Sequence, residues 1–216
     1  YIFSRALPAS VLPSINNVQT LPDVTGSTKY SQEIFSLYNA GVLTGSDVFG
    51  TFKPNDNIIR AEAAAILTRV ALPEQRNTVV LMKQVQWGVA KLAIPQSAGA
   101  GVTENGMYTV TSEQDACGVI ATSVTDSAYK GLSVTVLTEQ QMNNILTQAF
   151  NSTDGKLSNA KSTKVSFGSV KAYRTVGILT TDEGAGDCLI FTYITGNKMD
   201  MICLLAYEND TALKNM

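Results

Sequence analysis

The stretch "NDNIIRAEAAAILTRVALP", residues 55–73, decides how the N-terminal part of the chain is read. From Arg60 onward, Ala63, Ile66, Leu67 and Val70 recur three and four residues apart, the spacing that lines one face of an α-helix. A helix starting near Arg60 is therefore expected to bury those four side chains. Ile59, just before it, carries no acceptor for the free N–H groups of a first turn, so Asn57 is expected to start the helix two residues early. The first eight residues, "YIFSRALP", look like the tail of the same segment. Ile2, Phe3, Ser4 and Arg5 fall where Ile66, Leu67, Thr68 and Arg69 fall, and each run closes on Leu-Pro with one residue of slippage. A recurring element sets the architecture before any other feature. The octet is expected to be the end of an earlier copy, with the chain starting in mid-structure and any targeting signal upstream of it.

Working outward, "SQEIFSLYNAG" (31–41) places Ile34, Leu37 and Tyr38 at helical spacing, with Gly41 just past the end as a C-cap. Between the two helices, "VLTGSDVFGTFKPNDN" (42–57) is dense in Gly, Pro, Asn and Asp and reads as a loop. Upstream, "ASVLPSINNVQTLPDVTGS" (9–27) reads as a connecting loop. The unit is helix, structured loop, helix.

In order, "LPDV" (21–24), Tyr30, "AGVLTG" (40–45), "GTFKP" (50–54) and "IIRAEAAAILTR" (58–69) resemble the S-layer homology (SLH) repeat from end to end, over about residues 20–75. The resemblance implies a repeat that packs with two others and binds secondary cell wall polysaccharide, often through a pyruvylated sugar. It implies Arg60 and Glu62 as polymer-binding residues, at the positions of the family's "TRAE" motif, with Asp23 and Tyr30 beside them. Chemically, a guanidinium can grip a carboxylate with two parallel hydrogen bonds, and a helix start favours an anion. This chain departs from the family in two places: Ile59 replaces the usual threonine, and Tyr30 the usual tryptophan.

"TVVLMKQVQWGVAKLAIP" (78–95) spaces Leu81, Val85, Val89 and Leu92 as one helical face, and is read as a connecting helix over about 78–94 rather than a worn repeat, because no "GxF.P" loop follows. "PQSAGAG" (95–101) is small and polar and reads as a linker. Beyond it the period changes to two. "MYTVT", "GVIATSVT", "LSVTVL", "TKVSF", "KAYRTVGILT", "CLIFTYIT" and "MDMICLLAY" read as strands. "NSTDGKLSNAKS" (151–162) reads as a loop, and Gly196-Asn197 as a tight hairpin turn. Thr138 and Gln141 make a capping box, followed by a stripe of Met142, Ile145, Leu146 and Ala149. The expected fold is multi-domain: an all-α helix-loop-helix repeat region over 1–94, then an α+β domain over 102–216 with antiparallel sheet and one main helix. The middle of that domain, "GSVKAYRTVGIL" (168–179) and the two strands after it, weakly resembles the PsbP-like fold, which implies no catalysis.

Composition narrows the function. Only 16% of residues are charged, the net charge is −2, and no basic cluster suits nucleic acid. There is no histidine, which removes Ser-His-Asp and Cys-His nucleophile pairs and the commonest metal ligand. Cys117, Cys188 and Cys203 form no CxxC pair and lie in apolar, strand-like runs, so they are expected as buried thiols, with one disulfide as the alternative. The acidic "TTDEGAGD" (180–187), with Asp182, Glu183 and Asp187, is read as a solvated hairpin loop rather than a calcium loop. No catalytic residue, metal or cofactor is expected, and no apolar run is long enough to span a membrane. The expected protein is a bacterial, extracellular one, held in the cell wall or S-layer through secondary cell wall polysaccharide, with a non-catalytic C-terminal domain. The alternatives are a wall-tethered hydrolase with its site in 102–216, and a self-associating lattice protein.

Overall fold

The computed structural model describes residue 2 and residues 7–151, 155–182 and 184–207. The chain divides into two compact units, Tyr1–Lys83 and Gln84–Met216. The helix end expected at 1–8 lies almost wholly outside the described residues.

The first unit holds helices α1 (Ser31–Asn39) and α2 (Arg60–Ala71). α1 buries Ile34, Leu37 and Tyr38 as its spacing predicts. It ends at Gly41, whose φ of +71° suits glycine. The Gly41 N–H donates to the Tyr38 carbonyl and the Val42 N–H to the Leu37 carbonyl, the two bonds of a Schellman ending. The preceding segment is irregular but tied down by asparagines. Asn39 Oδ1 accepts from the Val18 N–H at 2.6 Å, and Asn16 Nδ2 donates to the carbonyls of Tyr38 and Asn77. Val18, Leu21, Val24, Ile34, Tyr38 and Leu81 form its main core.

α2 differs from expectation in two respects. It begins at Arg60, not at Asn57. And none of its residues is fully buried: Ile66 and Val70 pack partly against Leu37, Ala40 and Val42, while Leu67 stays 53% exposed. Only one i, i+4 pair of the expected face meets this core.

Residues 78–94 are not a helix. Met82–Trp87 (β1) and Ala90–Pro95 (β2) form a two-stranded sheet around a turn at Gly88. Leu81, Val85 and Val89 lie four apart, and four is a multiple of the strand period as well as close to the helical one. The β-branched Val85 within β1, and Gly88 at φ +56° in the turn, decide for strands. The unit boundary accordingly falls between Lys83 and Gln84, ahead of the expected linker at 95–101.

The second unit is an antiparallel sheet of seven strands. These are β3 (Val102–Glu104), β4 (Met107–Ser112), β5 (Cys117–Thr125), β6 (Lys156–Phe167), β7 (Val170–Thr181), β8 (Gly184–Thr195) and β9 (Lys198–Tyr207), in the spatial order β3-β4-β5-β9-β8-β7-β6. The Gly196-Asn197 turn joins β8 to β9, with Thr195 opposite Lys198 and Gly196 at φ +62°. One face carries Tyr173, Leu179, Cys188, Ile190, Cys203 and Leu205 under helix α3 (Glu139–Asn151). α3 starts with the expected capping box: Thr138 Oγ1 accepts from the Gln141 N–H, and Gln141 Oε1 from the Thr138 N–H. Its buried stripe is Met142, Leu146 and Phe150; Ile145 and Ala149 are exposed. The other face carries Ala121, Ala172, Tyr193, Ile202 and Leu204, and Val85, Trp87, Leu92 and Ile94 of the β1–β2 hairpin pack on it. Successive residues point to opposite faces, so Tyr173 is buried while Arg174 is exposed.

Two further expectations fail here. Val134–Val136, within the expected strand 132–137, is a short 3-10 turn whose start is capped when Ser133 Oγ accepts from the Thr135 N–H. And the expected loop 151–162 is strand from Lys156 onward.

Candidate functional site

The loop between α1 and α2 is built around two aspartates. Asp47 Oδ1 accepts from the Phe49 and Thr51 N–H groups, and Oδ2 from the Thr51 hydroxyl at 2.6 Å. Those bonds, the Thr51 hydroxyl first, hold the Asp47 carboxyl below its ordinary range. Two glycines let the loop close on itself. A Cβ on Gly45 would sit 2.5 Å from the Gly50 Cα, inside any real contact distance. The Tyr38 hydroxyl donates to the Gly50 carbonyl, and burial first, then the nearby Asp23 and Asp47 charges, push its pKa up.

Asp23 reaches across from the "LPDV" segment. Its Oδ1 accepts from the Phe52 N–H at 2.9 Å and its Oδ2 from the Lys53 N–H at 2.6 Å. Lys53 has φ +58°, a conformation that costs a side-chain-bearing residue about 1–2 kcal/mol. The Asp23 carboxylate offsets part of that cost by satisfying the Lys53 donor. The family's "LPDV" and "GTFKP" motifs, thirty residues apart, are thus two halves of one hydrogen-bonded joint.

Arg60 and Glu62 stand on the exposed first turn of α2. Glu62 Oε2 accepts from the Ile59 N–H at 2.9 Å. This is half of a capping box, since Ile59 has no acceptor to return the bond. Arg60, two residues before Glu62, is an exposed residue. Tyr30 starts α1 at φ +64° and is 41% exposed, with the Lys29 ammonium 4.9 Å from its ring centre. Of the four residues singled out, Arg60 and Glu62 share one helix turn, Asp23 is engaged with the 52–53 backbone, and Tyr30 stands at the other helix start. Sequence reasoning missed Arg69 and Arg76 as structural cations. Arg69 donates to the Val42 carbonyl, and Arg76 to those of Arg69 and Val11.

In the second unit the three cysteines are buried thiols. Cys188 and Cys203 lie diagonally across β8 and β9. The contact between them lowers the Cys188 pKa and, with burial, raises that of Cys203. The serine hydroxyls of Ser97 and Ser112 bond each other at 2.6 Å, and both bond the Asp115 carboxylate. The Asp115 N–H also donates to Ser112 Oγ, so the group anchors the turn that follows β4. Asp187 sits within β8 opposite Ile178, apart from a loop role. Among the described residues, no group of three or more His, Cys, Asp or Glu is placed to hold a metal ion, and no helix is long and apolar enough to cross a membrane.

The first unit is thus a two-helix module whose connecting loop is closed by aspartates and glycines. The chain carries an S-layer homology domain: that family's model matches residues 20–64, from the segment holding Asp23 to the turn holding Arg60 and Glu62. Such a domain suggests association with the cell surface. The C-terminal region is similar to the solution structure of cyanobacterial PsbP (CyanoP) from Synechocystis sp. PCC 6803, at 11% identity and a TM-score of 0.45, over 55% of this chain and 75% of that one. No curated protein matches the chain.

Proposed function

We propose that the first unit attaches the protein to a carboxylate-bearing polysaccharide of a bacterial cell wall, and that the second unit is a non-catalytic domain held outside the wall. The observation that carries the reading is the S-layer homology match at residues 20–64. The order of its loop supports it: Asp23, Asp47, Gly45 and Gly50 fix the segment leading into the α2 start. Arg60 is the polymer-gripping residue in this reading, because its guanidinium is exposed at a helix N-terminus and can fork onto a sugar carboxylate. Glu62 holds the turn that presents it, Asp23 holds the loop, and Tyr30 offers an exposed ring for a sugar face.

Exposed apolar side chains on and beside α2 support a further part of the reading. Ile58, Ile59, Leu67 and Leu72 are 58%, 61%, 53% and 45% exposed on this one short segment. Packing against sister repeats, or against another copy of the chain, would cover them. For the second unit, the lack of any histidine and the Ser97–Ser112–Asp115 group, where among the described residues no base bridges hydroxyl and acid, weigh for binding over hydrolysis.

Pull-down of the whole chain on purified cell walls tests the role of Arg60. Arg60→Lys keeps the charge but cannot make paired bonds to a carboxylate. Retention should fall severalfold; unchanged retention would make Arg60 a decoration of the helix start.

A further inference from the structure

Among the described residues, four buried polar atoms of the second unit have no hydrogen-bond partner, and three of them belong to the hairpin-covered face that also carries the buried Asp200 carboxylate. In the sheet, Ser123 of β5 lies directly opposite Asp200 of β9, and Asp200 directly opposite Tyr193 of β8. Residues paired across antiparallel strands point to the same face, so the Ser123 hydroxyl, the Asp200 carboxylate and the Tyr193 side chain form one row. That face is the one covered by the β1–β2 hairpin. The hairpin turn lies on the row: a Cβ on Gly88 would be 3.8 and 3.9 Å from the two Asp200 oxygens. Trp87, next to Gly88, stacks on Tyr108 at 5.7 Å. Asp200 and Tyr193 are each only 3% exposed. Trp87 Nε1, Ser123 Oγ and the Tyr193 hydroxyl are all buried and without a partner. Thr192 Oγ1 shares that condition but, one residue before Tyr193, points to the opposite face.

Buried polar groups are almost always hydrogen-bonded, and buried charges paired. A row that leaves three donors without mates beside a buried carboxylate is therefore a site for something outside the chain. Its chemistry can be read from what is missing. Trp87 Nε1–H can only donate, and Asp200 can only accept when ionised. The occupant must accept from the indole and donate to the carboxylate. A bare cation would answer Asp200 and leave the indole N–H unpaired, and an anion would be repelled by Asp200. A hydroxyl group does both, and the Ser123 and Tyr193 hydroxyls can then turn to either role. We propose that the Ser123–Asp200–Tyr193 row beneath the Gly88 turn is a hydroxyl-binding site, taking either an ordered water or the hydroxyl of a sugar or polyol. Burial, and then the Asp200 charge, push the Tyr193 phenol up to about 12, so it stays a neutral donor across the physiological range.

Trp87 is the only tryptophan of the chain, so its indole N–H gives a single resonance that reports on this site. The whole chain, labelled with nitrogen-15, is observed in buffer and then titrated separately with N-acetylglucosamine, glycerol and methylammonium chloride. A cross-peak from the indole N–H to long-lived water, unchanged by either polyol, supports the site with water as its occupant. A shift of the indole resonance that saturates with N-acetylglucosamine or glycerol supports it with a carbohydrate hydroxyl. Absence of both, or saturation by methylammonium alone, overturns it. Tyr193→Phe and Ser123→Ala remove one partner each while keeping the packing. Each should move the indole resonance and speed its hydrogen exchange roughly tenfold, the scale of one lost hydrogen bond. If both variants leave resonance and exchange as in the parent, the row is not a site.

Discussion

Asp23 and Lys53 are joined by a 2.6 Å hydrogen bond from the Lys53 N–H to the Asp23 carboxylate, and the same carboxylate takes the Phe52 N–H through its other oxygen. One side chain thus fixes the left-handed residue of the loop. The account makes Asp23 a structural staple of the S-layer homology unit, and so Asp23→Ala should free both amides. Losing the pair should cost about 1–3 kcal/mol, toward the low end because Lys53 is exposed and water can replace the acceptor. Amide hydrogen exchange at Phe52 and Lys53 checks it. Fast exchange at those two positions, with α1 amides still protected, is expected. Unchanged protection would mean that the carboxylate does not hold the loop.

The Asp47 carboxyl is held below its ordinary 3.8 by the Thr51 hydroxyl and the backbone donors of its own loop. A carboxylate with a lowered folded-state pKa adds stability above its unfolded pKa, and that addition is lost as pH falls through the folded value. Asp47→Asn should therefore be less stable than the parent at neutral pH, and the gap should close at acid pH below the ordinary carboxylate range. Thermal unfolding of both proteins across that range measures this. A gap that persists undiminished in acid would show that the Asp47 charge is not what the loop uses.

Two leucines at helical spacing should behave oppositely. Leu146 is buried at the centre of the α3 stripe, and Leu146→Ala should cost about 2–5 kcal/mol from lost burial and the cavity left behind. Leu67 was placed on a buried face by its spacing, yet it is half-exposed on α2. Leu67→Ala should stay within about 0.5 kcal/mol in this chain. Urea unfolding of the two variants decides the matter; a large loss at Leu67 would mean that its face is already covered.

How much of this was legible in the residues follows from what each signal measures. The two helices of the first unit, the Gly41 ending, the capping box at Thr138 and Gln141, and the turn at Gly196 are local chemistry, and each is where its residues put it. The hairpin β1–β2 was misread because a four-residue spacing fits both periods. Strand β6 was misread because it is an edge strand, paired only with β7. Its side chains need cover little core, and Lys156, Lys161 and Lys164 suit an edge that must not pair with another chain. At the candidate site, Arg60 and Glu62 were visible through a motif. The role of Asp23 was not, because it depends on a bond to backbone thirty residues away. The Ser123–Asp200–Tyr193 row was invisible for the same reason: strand register between distant segments is not written in either one.

The most direct test of wall attachment is cosedimentation of the whole chain with purified cell walls, before and after the secondary polysaccharide is chemically stripped from the peptidoglycan. The account predicts that the protein pellets with untreated walls and stays in the supernatant with stripped ones. Equal pelleting with both, or none with untreated walls, would contradict it.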